Sequence, residues 1–163
     1  MKTLLIVFHS MTGGTRQMAE AAVRGAAGEP DVSVSMLHAA DAGAKEVVEA
    51  DGYIFATPEN LGSMSGMMKN FFDRTYYAAL DRISGRPYGV LICAGSDGEN
   101  AARQILRIVT GWRLKPVAEP IIVCTHAQTP EAILSPKTIA AYDLSRCEEL
   151  GATIAAGLAL GIY

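Results

Sequence analysis

Strand-like and helix-like patterns alternate along this chain from end to end, and that alternation admits few folds. Residues 3–8 (TLLIVF) form a continuous apolar, β-rich run, and over 15–27 Met18, Ala21, Ala22 and Ala26 share one helical face. DVSVSML (31–37) alternates strictly, GYIFA (52–56) is again continuous, and Met67, Met68, Phe71, Phe72 and Tyr76 predict a helix over 64–78. YGVLICA (88–94) reads as a fourth strand, followed by a helix marked by Ala102, Ile105, Leu106 and Val109. PVAEPIIVC (116–124) reads as a fifth strand, and Ala140, Leu144, Cys147, Gly151, Ile154 and Leu158 line a closing helix. Such alternation implies a parallel sheet with helices on both faces.

The strand patterns also suggest an order. Parallel strands buried on both faces are continuously apolar, which describes the first, third and fourth. The second alternates, and the fifth carries Pro116 and Pro120, a residue largely confined to sheet edges. The expected fold is therefore an α/β three-layer sandwich, a five-stranded parallel sheet of order 2-1-3-4-5, with residues 1–163 forming one domain.

Composition narrows the function. Half of the chain is apolar, enough for a sizeable core, and the net charge is only -3 with Lys and Arg scattered. No basic stripe suits nucleic acid. The three cysteines are far apart with no CxxC, as expected of free thiols in a reducing compartment. His9, His38 and His126 share no ligand spacing with them, so no metal is expected. The opening MKTLLIVFHS is too short for a signal peptide and GATIAAGLALGIY too short for a membrane span, which leads us to expect a cytoplasmic protein with no membrane contact.

Sheets of this order bind ligands beyond the carboxyl ends of their strands, where the first and third meet. The loops to inspect are thus 9–15, 57–66 and 94–100. In the first, Ser10-Met11-Thr12-Gly13-Gly14-Thr15 offers small residues that let the backbone curl round an anion, three hydroxyls, and a helix N-terminus. GxxxxGK[ST] and GxGxxG are both missing, so a monophosphate without metal fits better than a nucleoside triphosphate. A simple N-cap cluster would need one such residue, and here are three hydroxyls and two glycines. Arg16 reads as a solvated helix residue.

Here S-x-T-G-x-T after the first strand resembles the FMN phosphate loop of the flavodoxin-like superfamily. TPENLGSMSGMMKNFFDRTYY (57–77) resembles the second flavin loop and helix of NAD(P)H-dependent FMN reductases and flavodoxin-like NAD(P)H:quinone oxidoreductases. The resemblance implies FMN as cofactor. It implies that Ser10, Met11, Thr12, Gly13, Gly14 and Thr15 hold the phosphate. Pro58, Glu59, Asn60, Leu61, Gly62, Ser63 and Met64 would line the ring, and Ala94, Gly95, Ser96, Asp97 and Gly98 would approach its pyrimidine edge through backbone amides. Asp97 is equally a candidate cap for the helix that follows.

Neither ring loop has an aromatic residue. Flavodoxins that only carry electrons typically sandwich the ring between aromatics, and Leu61 stands where the quinone-oxidoreductase branch usually has one. An open ring face would admit a nicotinamide or a flat acceptor. Against this, no Lys or Arg lies within 57–66 or 94–100 to favour two-electron chemistry. The reading is an FMN-binding oxidoreductase passing hydride from NAD(P)H to a flavin, quinone or similar small-molecule acceptor, with no side chain assigned as acid or base. The alternative is a flavodoxin-type electron carrier without NAD(P)H reductase activity. The resembling reductases are dimers or tetramers, which implies a homodimer or homotetramer. His126 reads as a loop residue off the switch point or a contact to a second substrate, Trp112 as packing or a subunit interface, Tyr76 and Tyr77 as core and surface packing or as reaching a neighbour's flavin in a dimer, and Cys93 as an inert buried thiol.

Overall fold

The computed structural model describes residues 1–163. The chain order is β1 (Lys2–Phe8), α1 (Gly14–Ala26), β2 (Val32–His38), α2 (Ala44–Glu49), β3 (Gly52–Asn60), β4 (Ser63–Met64) and α3 (Gly66–Ala79), then β5 (Pro87–Ala94), α4 (Glu99–Gly111), β6 (Lys115–Pro116), β7 (Ile121–Cys124), α5 (Pro130–Leu134) and α6 (Ala141–Ala159). The parallel sheet runs β2-β1-β3-β5, with β6 and then β7 beside β5 at the far edge. This is the expected order, with the fifth position shared by two short strands.

The expected continuous strand 116–124 needs correction, and proline supplies the reason. Between Tyr88 and Leu91 β5 advances less than its neighbour does between Pro116 and Ile121, so the edge bulges. Pro116 and Pro120 bracket the gap, where neither can donate to the ladder. The helix expected over 64–78 starts instead at Gly66, because the Ser65 hydroxyl accepts from the Met68 amide and caps it.

Alternation along each strand divides the core in two. Leu5, Val7, Phe55, Val90 and Ile92 face α3 and α4 together with Phe71, Phe72, Ile105 and Trp112. Leu4, Ile6, Ile54, Ala56, Leu91 and Cys93 face α1 and α6 with Met18, Ala22 and Ile154. With both faces covered, every position of the central strands must be apolar. The helices α1 and α6 pack backbone to backbone: a methyl group at Gly151 would run into the Ala22 carbonyl. One geometric consequence matters for the site. To reach α6, the chain leaving edge strand β7 must cross back over the carboxyl ends of β5 and β1, and residues 125–140 make that crossing.

Candidate functional site

A cleft of about 620 Å³ opens at the carboxyl ends of β1, β3 and β5, within the range of small-molecule sites. Its floor is the turn into α1. Gly13 adopts φ 94°, a left-handed conformation that glycine enters without strain, and α1 has no side-chain N-cap. The Ser10 hydroxyl oxygen accepts from the Gly13 amide at 3.1 Å, which holds the loop and leaves the hydroxyl proton free. The amides of Met11, Thr12, Gly14, Thr15 and Arg16 donate to no acceptor within the chain. Thr15 is 1% exposed, and its Oγ1 is buried without a hydrogen-bond partner. A buried hydroxyl left this way costs free energy unless a ligand satisfies it. A cap cluster would have spent its oxygens on these amides; this one leaves them open. Gly14 sits against β5, where an added Cβ would lie 2.6 Å from Cys93 Sγ.

The second wall is a hairpin, where an open loop was expected. β3 continues past the sheet to Asn60 and pairs antiparallel with Ser63–Met64 around Leu61-Gly62. Both turn residues have positive φ, 52° and 74°, the pattern of a type I′ turn. Helix α4 fastens this hairpin. Asn100 Nδ2 donates to the Gly62 carbonyl at 2.6 Å, and Gln104 Oε1 accepts from Ser63 Oγ and from the Met64 amide. The Glu59 carboxylate accepts from the Gly98 amide at 3.0 Å and the Ala101 amide at 3.4 Å, so the hairpin itself caps α4. The Asp97 carboxylate accepts from the Glu99 amide at 3.2 Å.

The third wall is Ala94, Gly95 and Ser96. The carbonyls of Ala94 and Gly95 accept from the Thr125 and His126 amides, while the Gly95 and Ser96 amides remain unpaired within the chain. His126 itself adopts φ 59° and is exposed; it does not line the cleft, whereas its neighbours Thr125 and Ala127 do.

The cleft thus brings together Ser10, Met11, Thr12, Gly14 and Thr15 from the first loop, Pro58 to Gly62 from the second, and Ala94 to Ser96 from the third. Gly13, Ser63, Met64, Asp97 and Gly98 shape the walls without lining them. Sequence reasoning missed Cys93, Thr125, Ala127, Gln128, Ile133, Leu134 and Lys137. All but Cys93 lie on the β7-to-α6 crossing, and the signal that could have found them was topological. Met11, Leu61, Ile133 and Leu134 are exposed apolar residues at its mouth, Leu61 fully so.

Of the remaining candidates, Trp112, Tyr76, Tyr77 and Arg16 lie outside the cleft lining. Trp112 is fully buried, donates from Nε1 to the Tyr76 carbonyl at 2.9 Å, and stacks on the Tyr76 ring. Tyr77 is exposed. Arg16 lies over the Phe8 ring and near Glu20 on the surface. Burial pushes the Cys93 thiol up to about 11, against a smaller opposing pull from Lys137, so it is a poor nucleophile at neutral pH. Burial, and then the neighbouring His38, lower the pKa of His9. No group of three or more His, Cys, Asp or Glu side chains is placed to hold a metal ion. No helix is long and apolar enough to cross a membrane.

The donor set fits a phosphate monoester attached to a flat ring: free amides, a helix end and the unpaired Thr15 hydroxyl at one end, and at the other two walls, one of them edged with the free Gly95 and Ser96 amides. Comparison with known proteins agrees. Residues 39–129 match the family described as NADPH-dependent FMN reductase, and the chain belongs to that family. A flavodoxin of Aquifex aeolicus is 33% identical over 119 residues, covering 69% of this chain and 62% of that one. An NAD(P)H dehydrogenase (quinone) of Acidithiobacillus ferrooxidans is 33% identical over 95 residues, covering 46% and 48%. The chain therefore spans less than two thirds of the length of these curated relatives. Among solved structures, a flavodoxin from the domain Archaea superposes with a TM-score of 0.76 at 21% identity, covering 96% of this chain and 98% of that one. The flavodoxin, WrbA-like protein from Agrobacterium tumefaciens gives 0.72 at 19% identity, covering 99% of each chain. The fold is flavodoxin-like.

Proposed function

We propose that this protein binds FMN in the cleft and passes hydride from NAD(P)H through it to a flavin, quinone or similar small acceptor. The observation that carries the reading is the buried, partnerless Thr15 hydroxyl within a loop of five unpaired amides. Family membership supports the same cofactor. When bound, FMN supplies hydride acceptance and donation at its ring.

The chain's own residues bind and orient. Ser10, Thr12 and Thr15 donate to the phosphate, and α1 turns its positive end toward it. The hairpin at Glu59–Met64 and the Ala94–Ser96 turn hold the ring between them. Because α4 ties down both the hairpin's tip and its returning strand, the ring wall is positioned before any ligand arrives, which lowers the ordering cost of binding. The aliphatic rim of Met11, Leu61, Ile133 and Leu134 suits a flat apolar acceptor, and the lack of an aromatic over the ring leaves a face open for stacking.

The second reading is an electron carrier, favoured by the Aquifex aeolicus flavodoxin relative and by the absence of Lys or Arg from both ring loops. Steady-state assays separate the two. FMN-loaded protein should oxidise NADH or NADPH when a quinone or free flavin is supplied, at a rate proportional to protein. FMN binding with no NAD(P)H oxidation would leave the carrier.

A further inference from the structure

We propose that Lys137 is a cationic ligand of the flavin phosphate, delivered from the far end of the chain to a loop that has no lysine of its own. By this charge the protein selects FMN over riboflavin. The proposal rests on the FMN reading and adds to it a residue outside the phosphate loop.

Four contacts fix Lys137 against that loop. Its amide donates to the Thr12 carbonyl at 2.9 Å. Gln17 clamps the same stretch: Nε2 donates to the carbonyls of Gly13 and Lys137, at 3.0 and 2.7 Å, and Oε1 accepts from the Ile139 amide at 3.0 Å. A glutamine on the first helix thus ties the crossing segment to the turn it passes over.

The ammonium group is aimed as well as anchored. Nζ donates to the Ile133 and Ser135 carbonyls at 2.8 and 2.5 Å and to Thr12 Oγ1 at 3.3 Å. All three partners are neutral, and Lys137 joins none of the chain's salt bridges. The two carbonyls hold the side chain in place without cancelling its charge. The longest contact is the one to Thr12, whose Oγ1 accepts and so keeps its own proton free to donate. A phosphate oxygen entering between Nζ and Oγ1 gains a charged donor and a hydroxyl donor together. The partnerless Thr15 hydroxyl and the unpaired amides complete the donor shell. A lysine engaged by a carboxylate, or pointing to solvent, would have neither the charge nor the direction for this.

Flavin titrations of flavin-free protein, read by fluorescence quenching, test the proposal. Lys137→Met keeps the stem and removes the charge. It should weaken FMN binding on the order of ten- to a hundredfold, and leave riboflavin binding unchanged. Lys137→Arg should retain most of the preference for FMN. In the unmutated protein, FMN binding should weaken with ionic strength and riboflavin binding should not, a readout that does not depend on any variant folding. Unchanged FMN affinity in Lys137→Met, equal losses for both flavins, or salt-independent FMN binding would each overturn the proposal while leaving FMN as cofactor. If the unmutated protein binds neither flavin, the cofactor reading falls with it.

Discussion

The Glu59 carboxylate and the Gly98 amide meet at 3.0 Å, joining the hairpin of one cleft wall to the first turn of the helix behind the other. Negative charge at a helix N-terminus is favourable, and at this end of α4 the other side-chain acceptor is Asp97, on the Glu99 amide. Glu59→Ala should lower unfolding free energy by about 1–2 kcal/mol in urea denaturation. It should also speed hydrogen exchange in residues 59–64. A loss without faster exchange there would place the effect in α4 alone.

Thr15 sets binding against stability. Its buried hydroxyl lacks a partner in the free chain, so Thr15→Val should raise the stability of flavin-free protein by about 1 kcal/mol. Thr12→Val combined with Thr15→Val should cost about 2–3 kcal/mol of FMN affinity. Thermal melting of the free protein and FMN titration therefore move in opposite directions. Parallel losses would mean that Thr15 serves the fold.

Gly14 and Cys93 form a steric pair. An alanine Cβ at position 14 would lie 2.6 Å from Cys93 Sγ, so Gly14→Ala should destabilise by about 1–3 kcal/mol. Adding Cys93→Ala removes the obstructing atom and should restore much of that loss, a coupling measurable by a double-mutant cycle. Additive losses would show that the turn is constrained by something other than the thiol.

Stability should also respond to acid at His9, whose Nδ1 is buried without a partner. Burial, with His38 beside it, lowers its folded-state pKa below the ordinary histidine value of 6.5. As pH falls through 6.5, the unfolded chain takes up a proton before the folded chain does, so the stability held above that pH is progressively lost, down to the folded pKa. The thermal midpoint should fall over this window, and His9→Gln should flatten the fall. An equal slope in both proteins would assign the effect to other groups.

How much of this was legible in the sequence depended on distance along the chain. The layers and strand order came from local periodicity, because buried parallel strands must be apolar on both faces. The first loop of the cleft was legible as ligand-site lining for the same reason: its residues are consecutive. Lys137 was not, since Ser135-Pro136-Lys137 has no period and its role exists only once the crossing lies over Thr12 and Gly14. The sequence places Glu59 only in the ring lining; the structure also engages its carboxylate with the Gly98 and Ala101 amides at the start of α4. Leu61 was read for its missing aromatic, but its left-handed conformation is uncommon for a leucine, and nothing in the sequence Asn-Leu-Gly announces it.

As the proposed oxidoreductase, the protein must hold FMN in this cleft and exchange hydride with NAD(P)H there. The most direct test is anaerobic rapid mixing of FMN-loaded protein with NADH and, separately, NADPH, following the flavin absorbance band. One or both nucleotides should bleach the band in a single fast phase whose rate saturates with nucleotide, and added quinone or free flavin should restore it. A band that persists with both nucleotides would contradict that activity and leave an electron carrier that takes its electrons from a partner.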